Sequence, residues 1–169
     1  MRITLLLLLT LCFSCKSMKT DSFEKSINQN IALESACKNS GECSVEVMEN
    51  MSLLLQKDNA NMLFPEFVTN TSSKVIKFTY TKKMAQEAAD AQYKEEVIFE
   101  IPSQENTLFY ENDNLQKVKL IHGRFCYCKG AAGYFKITEG TLSIKNGKLQ
   151  LDFKNNDVPQ IIDNLVLSY

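Results

Sequence analysis

The chain has 169 residues, of which 44% are hydrophobic and 23% are charged, and its 19 Lys and Arg residues against 20 Asp and Glu residues give a formal net charge of −1. This length is enough for one domain with a hydrophobic core. The basic residues are scattered singly, which excludes binding of nucleic acid or another polyanion, because phosphate recognition requires clustered Lys and Arg.

The chain begins with a pattern typical of export. Arg2 precedes a short apolar run that ends at Ser14-Cys15, in the order of a secretory signal. The run is far below the ~20 residues needed to cross a bilayer. Ser14-Cys15, followed by polar residues 16–20, resembles the lipobox of bacterial lipoproteins. The resemblance implies a signal peptide at residues 1–14, and a mature chain that begins with lipidated Cys15.

Residues 15–41 are predicted to form a lipidated polar tether. Most of these side chains are polar, but Phe23, Ile27 and Ile31 recur every four residues, which is typical of one face of a helix. We therefore expect the tether to end in a short helix before Cys37. A tether of this kind would lift the domain off the membrane surface.

From residue 42 onward the pattern changes to one of β strands. Apolar residues alternate or form short runs at roughly ten-residue spacing, with turn residues between them. The predicted strands lie within residues 43–48, 52–56, 62–64, 75–80, 96–101, 108–110, 118–120, 134–137 and 161–167. The pattern predicts a mainly all-β domain over residues 42–169, built as an antiparallel β-sandwich or small β-barrel with one or two short helices.

Two further segments carry local structural patterns. Asn146-Gly147 separates apolar alternation at residues 142–144 from that at 149–153, which predicts a β-hairpin with a type I′ turn. Residues 84–93 are rich in alanine and contain no β-branched residue, which favours a short helix or helical turn between two strands.

Four cysteines of the predicted mature chain are expected to form disulfides: Cys37, Cys43, Cys126 and Cys128. Two disulfides suit an exported chain. In an extended strand Cys126 and Cys128 would lie about 6.6 Å apart, so a bridge between them requires a bent backbone. We therefore predict two bridges that join residues 37–43 to residues 126–128, with a local Cys37–Cys43 loop as the alternative.

His122, Cys126 and Cys128 form the densest group of chemically active residues. Besides structural disulfides, they could bind a metal with a fourth ligand from residues 37–43, or carry out thiol–disulfide exchange. The His-x3-Cys-x-Cys spacing is not a paired zinc-finger spacing, and redox pairs usually have two spacer residues and open a helix. The structural interpretation is therefore favoured, and we expect no bound cofactor.

No pattern of catalytic residues is found in the sequence. His122 is the only histidine, and there is no Gly-x-Ser-x-Gly motif. The paired carboxylates Glu95-Glu96 are expected on a solvated polar face. The aromatic residues of the predicted strands most simply fill a core, whereas on an outward face they would form a binding patch.

The chain resembles the small lipoproteins exported by Bacteroidota. The resemblance rests on Cys12-Phe13-Ser14-Cys15-Lys16 and on residues 125–130 and 158–162. It implies a lipid anchor in a bacterial envelope membrane and transfers no functional residue. We therefore expect a non-enzymatic binding or interaction module whose partner is an envelope protein or a small ligand. The alternatives are a thiol-redox or metal-handling protein that uses His122, Cys126 and Cys128, and a carrier of a small apolar ligand.

Overall fold

The computed structural model describes residues 32–35, 37–82 and 92–168 and contains ten strands. In chain order these are β1 (Ala32–Leu33), β2 (Glu42–Lys57), β3 (Leu63–Thr81), β4 (Lys94–Pro102), β5 (Thr107–Glu111), β6 (Ile121–Phe125), β7 (Gly133–Lys136), β8 (Glu139–Lys145), β9 (Lys148–Lys154) and β10 (Asn164–Ser168). Two short 3₁₀ helices span Lys38–Ser40 and Asn112–Val118. The predicted all-β class is confirmed.

The strands form two antiparallel sheets that pack on each other as a sandwich. Sheet 1 has the order β1-β10-β9-β8-β5, and sheet 2 has the order β2-β3-β4-β6-β7. The main core lies between them, where Phe78 and Phe99 of sheet 2 meet Leu142, Leu151 and Leu167 of sheet 1. These side chains are at most 2% exposed, and each contributes about 1.5–3 kcal/mol through burial.

β3 is long enough to take part in two separate ladders. Its second half, from Ser73, pairs with β4, whereas Leu63 near its start pairs with Tyr134 of β7. This second pairing closes β3, β4, β6 and β7 into a small barrel-like ring. A second core fills the ring, and its fully buried members are Leu53, Val75, Ile98 and Ile121. The sequence left sandwich and barrel open, and the structure combines the two.

A β-bulge shifts the register between β2 and β3. It lies between Glu49 and Met51, where Asn50 adopts a φ of 58°. Bulges bend a strand and increase its twist. Beyond this bulge Ser52 and Leu53 reach the end of β4, and both donate hydrogen bonds of 2.8 Å to Glu100.

The predicted β8–β9 hairpin is confirmed. Asn146 and Gly147 have φ values of 54° and 72°, as the type I′ turn requires. Leu142, Ile144 and Leu149 are at most 1% exposed, so the apolar face of the hairpin lies in the main core.

Three local expectations differ from the structure or lie outside its described part. Ala32–Leu33 already pairs with β10, so the β domain begins before the predicted boundary at residue 42. Residues 118–120 are not a strand: Val118 ends a 3₁₀ helix, and Lys119 follows in a left-handed conformation. The predicted signal peptide, Cys15, most of the tether, and residues 84–91 of the predicted helix lie outside the described residues.

Replacing Phe99 by alanine is expected to reduce the free energy of unfolding by about 3–5 kcal/mol, because it leaves a cavity in the core. Phe109→Ala is the matched control, since Phe109 is also a strand phenylalanine but is 62% exposed, and a change within ~0.5 kcal/mol is expected there. Urea unfolding followed by circular dichroism measures both values. Equal losses in the two variants would contradict the placement of the core.

Candidate functional site

His122 lies inside the sandwich and makes internal contacts. Its Nδ1 atom accepts a hydrogen bond of 2.9 Å from the side-chain amide of Asn155, so the neutral ring carries its proton on Nε2. Nε2 lies 3.5 Å from Glu95 Oε2, and both side chains are fully buried. Among the described residues Nε2 makes no hydrogen bond of normal geometry, but the ring is fully buried between Asn155 and Glu95 and is not open to solvent.

The Glu95 carboxylate joins sheet 2 to the segment that leads into β10 of sheet 1. It accepts hydrogen bonds of 2.7 and 2.8 Å from the backbone N–H groups of Ile161 and Ile162, and a further one from the hydroxyl of Tyr93. Burial opposes ionisation of Glu95. The adjacent His122 ring, together with the hydrogen bonds from Tyr93 and the two N–H groups, outweighs burial and lowers the pKa of this carboxyl.

The expectation that Glu95-Glu96 lies on a solvated face is wrong. Glu95 is 0% exposed and Glu96 is 3% exposed, because β4 is a central strand covered on both faces. Glu96 is held by Lys94 at 2.9 Å, by Lys77 at 3.1 Å and by the Tyr134 hydroxyl. The apolar run at residues 97–99 was the sequence signal that this strand, including its charged start, is buried.

Each of the four described cysteines pairs with its neighbour in sequence. The predicted bridges between residues 37–43 and 126–128 are wrong, and the alternative, a local Cys37–Cys43 loop, is confirmed. The Cα atoms of Cys37 and Cys43 lie 5.8 Å apart, and those of Cys126 and Cys128 lie 5.3 Å apart. β3 and β4 separate β2 from β6, which places these strands roughly 14 Å apart at ~4.8 Å per strand. A disulfide requires Cα atoms within about 7 Å.

The backbone bends sharply after β6, which brings Cys126 and Cys128 together. The N–H of Cys128 donates a hydrogen bond of 2.8 Å to the carbonyl of Cys126. Farther along the loop, Arg124 donates to the carbonyl of Ala131 at 3.2 Å. Tyr127 lies between the two cysteines and is 97% exposed. The loop is thus held at both ends and presents one aromatic side chain to solvent.

Exposed apolar side chains gather at the same end of sheet 2. Within the described residues, four of the five exposed large hydrophobic side chains are Leu54, Met62, Phe64 and Tyr127, and we call these four the loop surface. Leu54 and Phe64 share one face of the β2–β3 ladder. Met62 lies against Gly133, where the loop enters β7, since a Cβ atom there would lie 2.9 Å from the Met62 methyl carbon.

The possible metal-binding group predicted from the sequence is not assembled. In residues 32–35, 37–82 and 92–168, no group of three or more His, Cys, Asp or Glu side chains is placed to hold a metal ion. Within those ranges there is also no helix with the length and hydrophobicity to span a bilayer. His122 is buried with Glu95, whereas Cys126 and Cys128 belong to the loop beyond β6.

No family model, curated protein or solved structure matches the chain in the comparisons made.

Replacing Glu95 by glutamine is expected to reduce the free energy of unfolding by about 1–3 kcal/mol at pH 7. One of the two backbone N–H groups that now donate to the carboxylate would instead face the NH₂ group of the glutamine, which cannot accept its hydrogen bond. A carboxyl whose pKa is lowered on folding stabilises the protein above its unfolded pKa, and this contribution is lost as the pH falls. The parent protein should therefore lose stability below about pH 4.5, and the variant should show a shallower loss. Urea unfolding between pH 7 and pH 3 tests this.

Glu111→Gln is the matched control, because Glu111 is exposed at the end of β5. Acid-induced losses of the same size in the parent and Glu95→Gln would show that Glu95 does not contribute to the pH dependence.

Proposed function

We propose that the protein is an exported lipoprotein, anchored through Cys15 to a bacterial envelope membrane, and that it acts as a non-enzymatic binding module. A second envelope protein docks on the loop surface. The observation that carries this proposal is the exposure of Leu54 and Phe64 on one face of the β2–β3 ladder, of Met62 beside Gly133, and of Tyr127 on the loop that leads to Gly133.

The anchor is supported by the first residues of the chain. Arg2 and the apolar run up to Cys15 have the order of a secretory signal. A single acyl chain gives weak membrane binding, whereas two or more give stable anchoring.

Docking at the loop surface is supported by its chemistry. Soluble domains rarely expose contiguous apolar patches unless a partner covers them, and aromatic and Met side chains are enriched at the centres of protein interfaces. The backbone at Tyr127 is restrained between the paired Cys126 and Cys128, so the loop loses less conformational entropy when a partner binds. The four residues carry no charge, whereas Gln56 and Glu66 lie beside Leu54 and Phe64 on the same face, so we expect a partner surface that is apolar at its centre and polar at its rim.

Thiol–disulfide exchange at Cys126 and Cys128 is the second candidate. It is favoured by the position of this pair on a loop whose middle residue is 97% exposed. The interior of the sandwich gives no support to an apolar ligand carrier, since Phe78, Phe99 and the surrounding side chains occupy the space between the sheets.

Replacing Cys15 by alanine is expected to abolish incorporation of an alkyne-labelled fatty acid and to move the protein from the membrane fraction to the soluble fraction. Cys12→Ala is the matched control, because Cys12 belongs to the predicted signal and should leave labelling unchanged. Labelling that persists in Cys15→Ala, or is absent from the parent, would overturn the anchor.

A photo-crosslinking amino acid placed at Tyr127 is expected to capture one envelope protein in intact cells, and Phe64→Glu should reduce its yield at least fivefold by placing a charge in the interface. The control is the same crosslinker at Phe109, which is 62% exposed on β5 of the other sheet. At this position it should not capture the protein that is captured from Tyr127.

Identical capture from both positions would contradict docking at the loop surface. An adduct that forms without irradiation and disappears on reduction would instead indicate thiol exchange at Cys126 and Cys128.

A further inference from the structure

A polar cleft lies at the bend of β3, away from the residues that define the loop surface. It consists of two adjoining depressions of about 540 and 340 Å³, which share Ser72 and Pro102. Its walls are the β3 bend, the end of β4, the turn into β5, and the second 3₁₀ helix. The volumes fall within the ~300–1,000 Å³ of small-molecule sites.

Hydrogen bonds fix the walls of this cleft. The side-chain oxygen of Asn70 accepts bonds from the N–H and the hydroxyl of Ser72, at 3.1 and 2.7 Å. The N–H of Ser103 donates to the carbonyl of Ser72 at 3.0 Å, which ties the turn after β4 to the bend of β3. The cleft is therefore shaped by the fold before any ligand arrives, which lowers the entropic cost of binding.

The lining offers hydroxyl and amide groups. Asn70, Ser72, Ser103 and Gln104 line the cleft, and each can both donate and accept hydrogen bonds. Within the described part of the chain, the Ser103 hydroxyl oxygen is buried without a hydrogen-bond partner. This oxygen is enclosed by the wall of the cleft, so the groups open to a ligand are those of residues 70–72 and of Gln104.

The charges around the cleft balance. Glu100 is paired with Lys119 at 2.7 Å, which leaves Lys117 and Glu105 as lining groups of opposite sign. Burial opposes ionisation of Glu100, but the bonds from Lys119 and the β2 backbone lower its pKa, so it is a carboxylate acceptor. A neutral ligand suits this lining better than an anion or a cation.

Apolar surface is also present at the cleft. Tyr110 and Pro102 contribute to the lining, and the Lys117 amine lies 5.6 Å from the centre of the Tyr110 ring. In a ligand site, an aromatic ring packs against an apolar face of the ligand, while polar groups around the ring form hydrogen bonds to the edge of the ligand. A sugar ring presents such a C–H face together with hydroxyl groups at its rim.

We propose that this cleft binds a neutral saccharide, held by the hydroxyl and amide groups of residues 70–72 and of Gln104, with Tyr110 and Pro102 against a face of the sugar ring. The proposal concerns binding only and does not depend on the lipid anchor or on the loop surface.

Saturation-transfer difference NMR on the full chain, in a phosphocholine detergent that has no sugar headgroup, tests this proposal. The probes are glucose, galactose, mannose and N-acetylglucosamine, with glucuronate and glucosamine as charged comparators. We expect transfer to the ring protons of at least one neutral sugar. Gln104→Ala should reduce the transfer at least threefold, and Gln150→Ala, an exposed glutamine on β9, should leave it unchanged.

Tyr110→Leu is the second variant and should also reduce the transfer at least threefold through loss of the ring face. Co-sedimentation of the full chain with cellulose or chitin, lost in Gln104→Ala, would indicate the same ligand class in a polymer. The proposal fails if no free or polymeric saccharide binds, if the charged comparators give stronger transfer than the neutral sugars, or if neither Gln104→Ala nor Tyr110→Leu weakens binding.

Discussion

The hydrogen bonds to the buried Glu95 carboxylate are the interaction on which the joining of the two sheets depends. Most other contacts between the sheets are apolar and non-directional, so they tolerate sliding of one sheet over the other. Glu95 instead fixes two consecutive backbone N–H groups, those of Ile161 and Ile162, at the entry to β10. Because an unpaired buried carboxylate is costly, this contact selects one alignment of the sheets.

The same network explains why the chemically active residues of the sequence are not gathered in one site. His122 is consumed by Asn155 and Glu95, and Asn155 in turn accepts bonds from the N–H groups of Asp157 and Val158. These polar groups hold the segment between β9 and β10. Both surfaces left for recognition include part of β3: Met62 and Phe64 lie just before and at its start, and its bend contributes to the polar cleft.

Much of the fold follows from local patterns in the sequence. Alternation placed Ile76, Phe78 and Tyr80 on one face, and Asn146-Gly147 specified the β8–β9 hairpin, because both depend on nearest neighbours along one strand or turn. Pairings between distant strands leave no such mark. The separation of Cys37 and Cys43 from Cys126 and Cys128 and the burial of Glu95 and Glu96 were therefore missed, since each depends on which strands lie beside β4, and the local Cys37–Cys43 loop was only the alternative.

The candidate surfaces were accessible from the sequence only in part. The segment around Cys126 and Cys128 stood out as unusual, and an outward aromatic patch was one of the alternatives. Which aromatic residues would face outward could not be read from hydrophobicity, because Phe99 and Phe109 each lie in a short apolar run and yet differ from 0% to 62% in exposure. The polar cleft had no sequence pattern, since it is assembled from four separate segments.

The two-residue pairing of β1 with β10 sets how the domain resists mechanical tension at its N-terminal end. Pulling on Ala32 would peel β1 from the sheet edge after the rupture of only the few backbone hydrogen bonds that join it to β10. The tension would then reach the Cys37–Cys43 ring, whose covalent closure passes the load to the first residues of β2. The long β2–β3 ladder would start to open only at a higher force, so the edge strand yields first and the sandwich behind it stays intact.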